Sequence, residues 1–207
     1  MRPSVTTAMS DFHIIGIDPG YSAGGLVVIL GHNSDTTCQE VVMACAWQKL
    51  NRKSGPVWRV DTETMGNLML CKRSYARSYW EIIDAIWAQA ITKPYHLAIE
   101  QPFIARPTKG LHRLLEATGG MMAVFSPAAL SVARPRPNEW RKAILELKGH
   151  TKAKEAELEA IRWSKKNVNL GTLASVGHVA EAACIATWML RDVQSRLQTT
   201  NTPAELA

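Results

Sequence analysis

Two short apolar runs, residues 12 to 17 (FHIIGI) and 25 to 31 (GLVVILG), are separated by the turn-forming DPGYSAG. Runs of this length rich in Ile and Val, bounded by Pro and Gly, predict two antiparallel strands. A third strand is expected over residues 37 to 47. Residues 48 to 73 mix Gly, Pro, charged and apolar positions with no clean period and are expected to form an irregular loop. From 74 to 91 the apolar positions Tyr79, Ile82, Ile83, Ile86, Trp87 and Ala90 recur at helical spacing, and Lys93-Pro94 stops that helix before an apolar strand over 95 to 100. Further helices are expected over 108 to 124, as a short and a longer piece between 134 and 166 broken near Gly149, and from 176 to 197, with a short strand over 130 to 133. Strands in this order, three as a meander and then alternating with helices, predict an α/β domain with a mixed sheet and helices on its faces.

A single domain over residues 11 to 192 accounts for the pattern, with residues 1 to 10 and 198 to 207 as flexible tails. The chain has 207 residues, 46% of them hydrophobic, enough for one substantial core. No apolar stretch is long enough to span a bilayer, and the start lacks a signal-peptide core. Cys38, Cys45, Cys71 and Cys184 show neither CxxC pairing nor zinc spacing. They read as reduced thiols in a cytoplasmic protein. The net charge of +6 suits a polyanionic partner as well as mere solubility. Most of that excess lies between residues 134 and 166, with ten bases against five acids.

Candidate chemistry sits at the ends of apolar elements. Asp18 and Glu100 each close an apolar strand, where α/β sheets present ligands. His178 and Glu181 lie three apart in the opening turn of a helix, hence on one face and about 4.5 Å apart along its axis. Each has an ordinary alternative. An Asp before Pro-Gly forms turns, a His at a helix start can be a satisfied imidazole, and an early Glu suits the helix dipole. Glu100 is harder to explain that way, because strands disfavour Glu. Together the four would make a carboxylate-rich pocket suited to two Mg²⁺ ions.

IGIDPG, then AIEQPF, then a late H-x-x-E-A-A-x-x-I-A helix resembles the RuvC-type Holliday junction resolvases of the ribonuclease H-like superfamily, over residues 12 to 188. The departure from the usual last ligand fits a phage or prophage member. The resemblance implies a ribonuclease H-like mixed five-stranded sheet, its first three strands antiparallel, flanked by helices. It makes Asp18, Glu100, His178 and Glu181 the metal-binding and catalytic set for two Mg²⁺ ions, with Mn²⁺ able to substitute. The family places Asp at the last position, and Glu181 is one methylene longer. Phe103 falls where the family has an aromatic that stacks into an opened junction, and an ordinary core Phe is the other reading. Arg106, Lys109, Arg141, Lys148, Lys152 and Lys154 match the DNA-contacting positions. Lys72, Arg73 and Arg77 form a second basic group that the family pattern leaves unexplained. The implied activity is cleavage of four-way DNA junctions by a homodimer, whose contact the resemblance places on the helix over 108 to 124. Other outcomes are a nuclease on forks, flaps or RNA-containing duplexes, or a junction-binding protein that does not cut. The opening G-I-D-x-G also occurs in ATP-binding folds of the actin and sugar-kinase kind, which require a second domain and a second glycine-rich loop that this chain does not supply.

Overall fold

The computed structural model describes residues 11–31, 40–52, 55–64, 70–90, 93–102, 110–149 and 151–201. Three strands, β1 (Phe12–Asp18), β2 (Ala23–Gly31) and β3 (Glu40–Arg52), form the expected antiparallel meander. The described residues of the stretch expected to be a loop are instead strand, and 53–54 and 65–69 lie outside the described residues. β3 runs on to Arg52, β4 (Gly55–Thr64) returns antiparallel to it, and β5 (Leu70–Ala76) adds a further antiparallel neighbour. The sheet therefore has seven strands rather than five, in the order β5-β4-β3-β2-β1-β6-β7. Its class is the α/β arrangement expected.

The period of β4 was masked by its chemistry. Trp58, Val60 and Thr62 point to one core, alternating with Arg59, Asp61 and Glu63 on the other face. Glu63 breaks the polar-out rule because it is buried there, accepting hydrogen bonds from the backbone N–H and the hydroxyl of Thr172 in a 3-10 turn (Gly171–Ser175).

The helix expected from residue 74 starts later, as α1 (Tyr79–Ala90), because residues 74 to 76 belong to β5. Its start is capped locally. The Ser78 hydroxyl accepts from the Glu81 N–H at 3.2 Å, and the Glu81 carboxylate accepts from the Arg77 N–H at 2.7 Å. Strand β6 (Tyr95–Ile99) pairs parallel with β1, and β7 (Ser131–Ala133) pairs parallel with β6. Between them lies α2 (Leu111–Phe125), and after them α3 (Pro137–Leu145), α4 (Ala153–Asn167) and α5 (Gly177–Asn201). α5 continues four residues past the expected end at 197. The earlier part of the segment expected as a tail is thus helix, and residues 202 to 207 lie outside the described residues.

Helices cover both faces of the sheet. α1 and α2 close one core, where Ile82, Ile83, Ile86, Met121 and Phe125 meet Ile15, Ile17, Leu26 and Trp47. On the other face α5 lies across β1 and β2 with Val179, Ala182, Ala183 and Ala186, backed by Trp140 and Ile144 of α3. Cys45 and Cys184 are buried free thiols, as the reduced reading requires, and burial pushes the Cys45 thiol up to about 12. No helix among the described residues is long and apolar enough to cross a membrane.

The approach of α5 to the sheet is backbone-close at Gly16. A Cβ there would lie 2.3 Å from the Ala182 carbonyl oxygen and 2.5 Å from the Ala186 nitrogen. Neither backbone atom can yield without moving the helix. Gly16→Ala is expected to destabilise the protein by about 1–3 kcal/mol through overpacking. Urea unfolding should then show a lower midpoint with the same slope.

Candidate metal centre

Asp18 ends β1, and the chain turns through Pro19 and Gly20 immediately after it. Three donors from the β3–β4 pair hold that turn. Trp47 Nε1 donates to the Gly20 carbonyl at 2.7 Å, Trp58 Nε1 to Tyr21 at 3.0 Å, and the Lys49 N–H to Ser22 at 2.6 Å. The Asp18 carboxylate is therefore not needed as a turn former. It faces His178 instead, whose Nδ1 lies 2.5 Å from Asp18 Oδ2 across 160 positions of sequence.

Glu100 follows β6 and extends the parallel ladder, its N–H donating to the Ile17 carbonyl at 3.0 Å. That bond sets Glu100 beside Asp18 on the same edge of the sheet. His178 and Glu181 come from the first two turns of α5, which is pressed onto β2 at Gly25. A Cβ on Gly25 would lie 2.4 Å from the His178 carbonyl oxygen. Because Gly25 pairs with Asp18 across the β1–β2 ladder, this contact delivers the opening of α5 directly to Asp18.

Donor atoms of Asp18, His178 and Glu181 all lie within 4.8 Å of one another. Glu100 stands outside that triad, yet near enough for its titration to feel both other carboxylates. Burial pushes the Glu100 carboxyl well above the usual carboxylate range, and the charges of Asp18 and Glu181 push it the same way. Trp140 Nε1, donating to Glu100 Oε2 at 2.7 Å, and Arg141 act in the opposite direction. Glu181 is raised by burial and by Asp18, against the Arg141 guanidinium, whose Nη2 lies 3.0 Å from Glu181 Oε1. The hydrogen bond to Asp18 raises His178 to about 9, despite an opposing effect of burial. Three carboxylates and one imidazole crowd a half-buried pocket in which Arg141 and the protonated His178 supply the positive charge. Such O and N donors fit Mg²⁺ or Mn²⁺.

The other expected site residues are distributed differently. Lys148, Lys152 and Lys154 are exposed in the α3–α4 connection and at the start of α4. Arg141, expected at DNA, has its side chain only 21% exposed and is engaged with Glu181 inside the pocket. Phe103, Arg106 and Lys109 lie outside the described residues. Trp140 was not singled out from the sequence as a site residue. Its one signal was its place on the amphipathic helix α3, four residues before the buried Ile144.

No protein-family model matches this chain, and no curated protein sequence does. Among solved structures, RuvC of Thermus thermophilus is similar, with a TM-score of 0.50 and 17% identity over 91% of this chain and 98% of that one. T. thermophilus RuvC in complex with Holliday junction substrate aligns with a TM-score of 0.48 and 15% identity, over 91% and 97% of the two chains. At these identities the likeness is one of fold, and the chain has the ribonuclease H-like fold of RuvC.

Raised carboxyl and imidazole groups mean that the metal-free folded protein holds protons the unfolded chain would release. Their contribution to stability is present at acidic pH and is lost as pH rises through the range up to about 9 that His178 sets. Thermal melting in a chelator should therefore show Tm falling across this range. Glu100→Gln should flatten the fall by removing one of the raised groups.

Proposed function

We propose that this protein is a metal-dependent endonuclease that resolves four-way DNA junctions, with Asp18, Glu100, His178 and Glu181 as its metal-binding and catalytic set. The convergence of Asp18, His178 and Glu181 donors within 4.8 Å carries this reading. They meet on a ribonuclease H-like sheet, with a fourth carboxylate beside them. Two divalent ions bound there would supply Lewis-acid activation of a water and charge stabilisation of the leaving oxygen.

The chain's own residues have separable tasks in this scheme. Asp18 lies between the two sides of the pocket and would be shared by both ions, with Glu100 on one side and Glu181 and His178 on the other. Trp140 fixes the rotamer of Glu100 through a neutral donor, which orients the carboxylate without neutralising it. Arg141 holds Glu181 in place and would offer a positive charge to the scissile phosphate. His178 is the most solvent-accessible of the set, 41% exposed, and can pass a proton between the site and water. Hydrolysis would leave 5′ phosphate and 3′ hydroxyl ends.

Paired cuts in a four-way junction suit a two-fold dimer. α2 supports that assembly, because Leu115 is 45% exposed and Gly119 faces open space on its outer side. The exposed Lys148, Lys152 and Lys154 are suited to DNA phosphates. A second reading, a junction-binding protein that does not cut, draws on Glu181 standing where the family has Asp.

A synthetic four-way junction incubated with Mg²⁺ or Mn²⁺, beside matched fork, flap and RNA–DNA duplexes, tests the proposal. Symmetric nicking of the junction is expected, abolished by chelator. Asp18→Asn and Glu100→Gln should each reduce cutting by at least about 100-fold while junction binding persists, since they remove metal charge rather than phosphate contacts. Normal turnover by either variant would overturn the assignment, and tight binding with no nicking by wild type would favour the second reading. Lys148→Ala with Lys154→Ala should weaken binding and lower its salt slope by about two, read from titrations at several salt concentrations.

A further inference from the structure

Strands β3 and β4 do not stop at the edge of the sheet where Asp18 lies. Asp18 pairs with Gly25, Gly25 with Ala46, and Ala46 with Asp61, so these residues mark the level of the metal centre across the sheet. Beyond that level β2 reaches only Ala23, opposite Gln48, and β5 ends at Ala76, opposite Trp58. β3 continues six residues past Ala46 to Arg52, and β4 returns from Gly55. At about 3.4 Å per residue the pair projects about 20 Å past the metal centre, ending as a two-stranded ribbon.

The ribbon is basic and aromatic. Residues 48 to 77 contain seven bases against two acids, a second concentration of charge comparable to that of residues 134 to 166. Arg59 and Arg73 share Asp61, at 2.8 and 2.6 Å. Lys49 and Arg52 lean on rings rather than on carboxylates. Lys49 Nζ lies 5.3 Å from the Tyr21 ring and 5.4 Å from that of Trp58. The Arg52 guanidinium lies 5.2 Å over Tyr75, a ring that is itself 55% exposed. The ribbon's base is also wired to the metal centre, because Trp47, Lys49 and Trp58 are the donors that hold the turn following Asp18.

We infer that this ribbon is a DNA-gripping arm, which places Lys49 and Arg52 against the phosphates of the duplex leading into the metal centre. The inference rests on the nuclease reading above and adds to it a surface outside the resemblance-derived contacts. A two-stranded antiparallel ribbon fits the major groove of a duplex. Charge on such a ribbon meets phosphates on either wall. An arm flanking the catalytic edge raises affinity and fixes the angle at which the strand enters.

Binding of a fluorescent four-way junction and of a linear duplex, measured in chelator over a range of salt concentrations, tests this. Lys49→Ala with Arg52→Ala is expected to weaken junction binding by roughly ten- to thirty-fold near physiological salt. It should also reduce the slope of log K against log salt by about two. Arg52→Ala alone, at the two-stranded end of the ribbon and remote from the core, should lower the slope by about one. The charge-preserving pair Lys49→Arg with Arg52→Lys should retain the wild-type slope. Unchanged slopes in both alanine variants, while wild type binds and cuts the junction, would overturn the arm and leave the nuclease reading standing. Ribbon-dependent binding by a wild type that never cuts would do the reverse, and a wild type that binds neither DNA would overturn both.

Discussion

The docking of α5 on two glycines is the constraint on which the rest of the site depends. Gly16 and Gly25 leave no side chain between the helix and the sheet, so Ala182, Ala186 and the His178 carbonyl rest almost on strand backbone. A helix seated farther out would carry His178 and Glu181 away from Asp18, which is fixed at the end of β1. Small residues on the helix complete the fit. Ala182, Ala183 and Ala186 let it lie flat across β1 and β2, where larger side chains would prop it up.

That closeness has an electrostatic consequence. Glu100 and Glu181 are gathered beside Asp18 where burial already disfavours charge, and the charge of Asp18 makes both harder to ionise. The protein answers with partial remedies. Trp140 gives Glu100 a neutral hydrogen bond, Arg141 gives Glu181 a cation, and Asp18 draws a proton onto His178. Arg141 and a protonated His178 are thus the positive charges set against these carboxylates. Cations bound at such a site would expel its protons, which would link the protein's stability to its proposed chemistry.

The extension of the sheet gives the edge that carries Asp18 a wall. In a five-stranded sheet β3 would be an edge strand with unpaired backbone groups. Here β4 satisfies those groups and is itself paired by β5, and Trp47 and Trp58 bury their rings while spending their indole N–H groups on the turn after Asp18. One pair of strands thus closes the core, braces a metal-centre loop and projects a basic surface beside it.

The meander, the strand leading to Glu100 and the late helix were legible in the sequence, because each is a short apolar run or a helical period with clear stops. Asp18 and Glu100 were legible as candidates because a charged residue at the end of an apolar strand stands out, and His178 and Glu181 because they lie three apart at the start of a helix. β4 and β5 were not, because the alternation of Trp58, Val60 and Thr62 with Arg59, Asp61 and Glu63 puts a polar Thr62 on the core face and a buried Glu63 on the other, within a stretch broken by Gly and Pro. Nor did local sequence reveal that Arg141 turns inward to Glu181, or that Trp140 reaches Glu100 from 40 positions away. The linear chain determined which residues could bear charge and where the strongly apolar runs and helical periods lie. Only tertiary packing decided which charges meet, because that depends on how closely a helix backbone can approach a strand with no side chain in between.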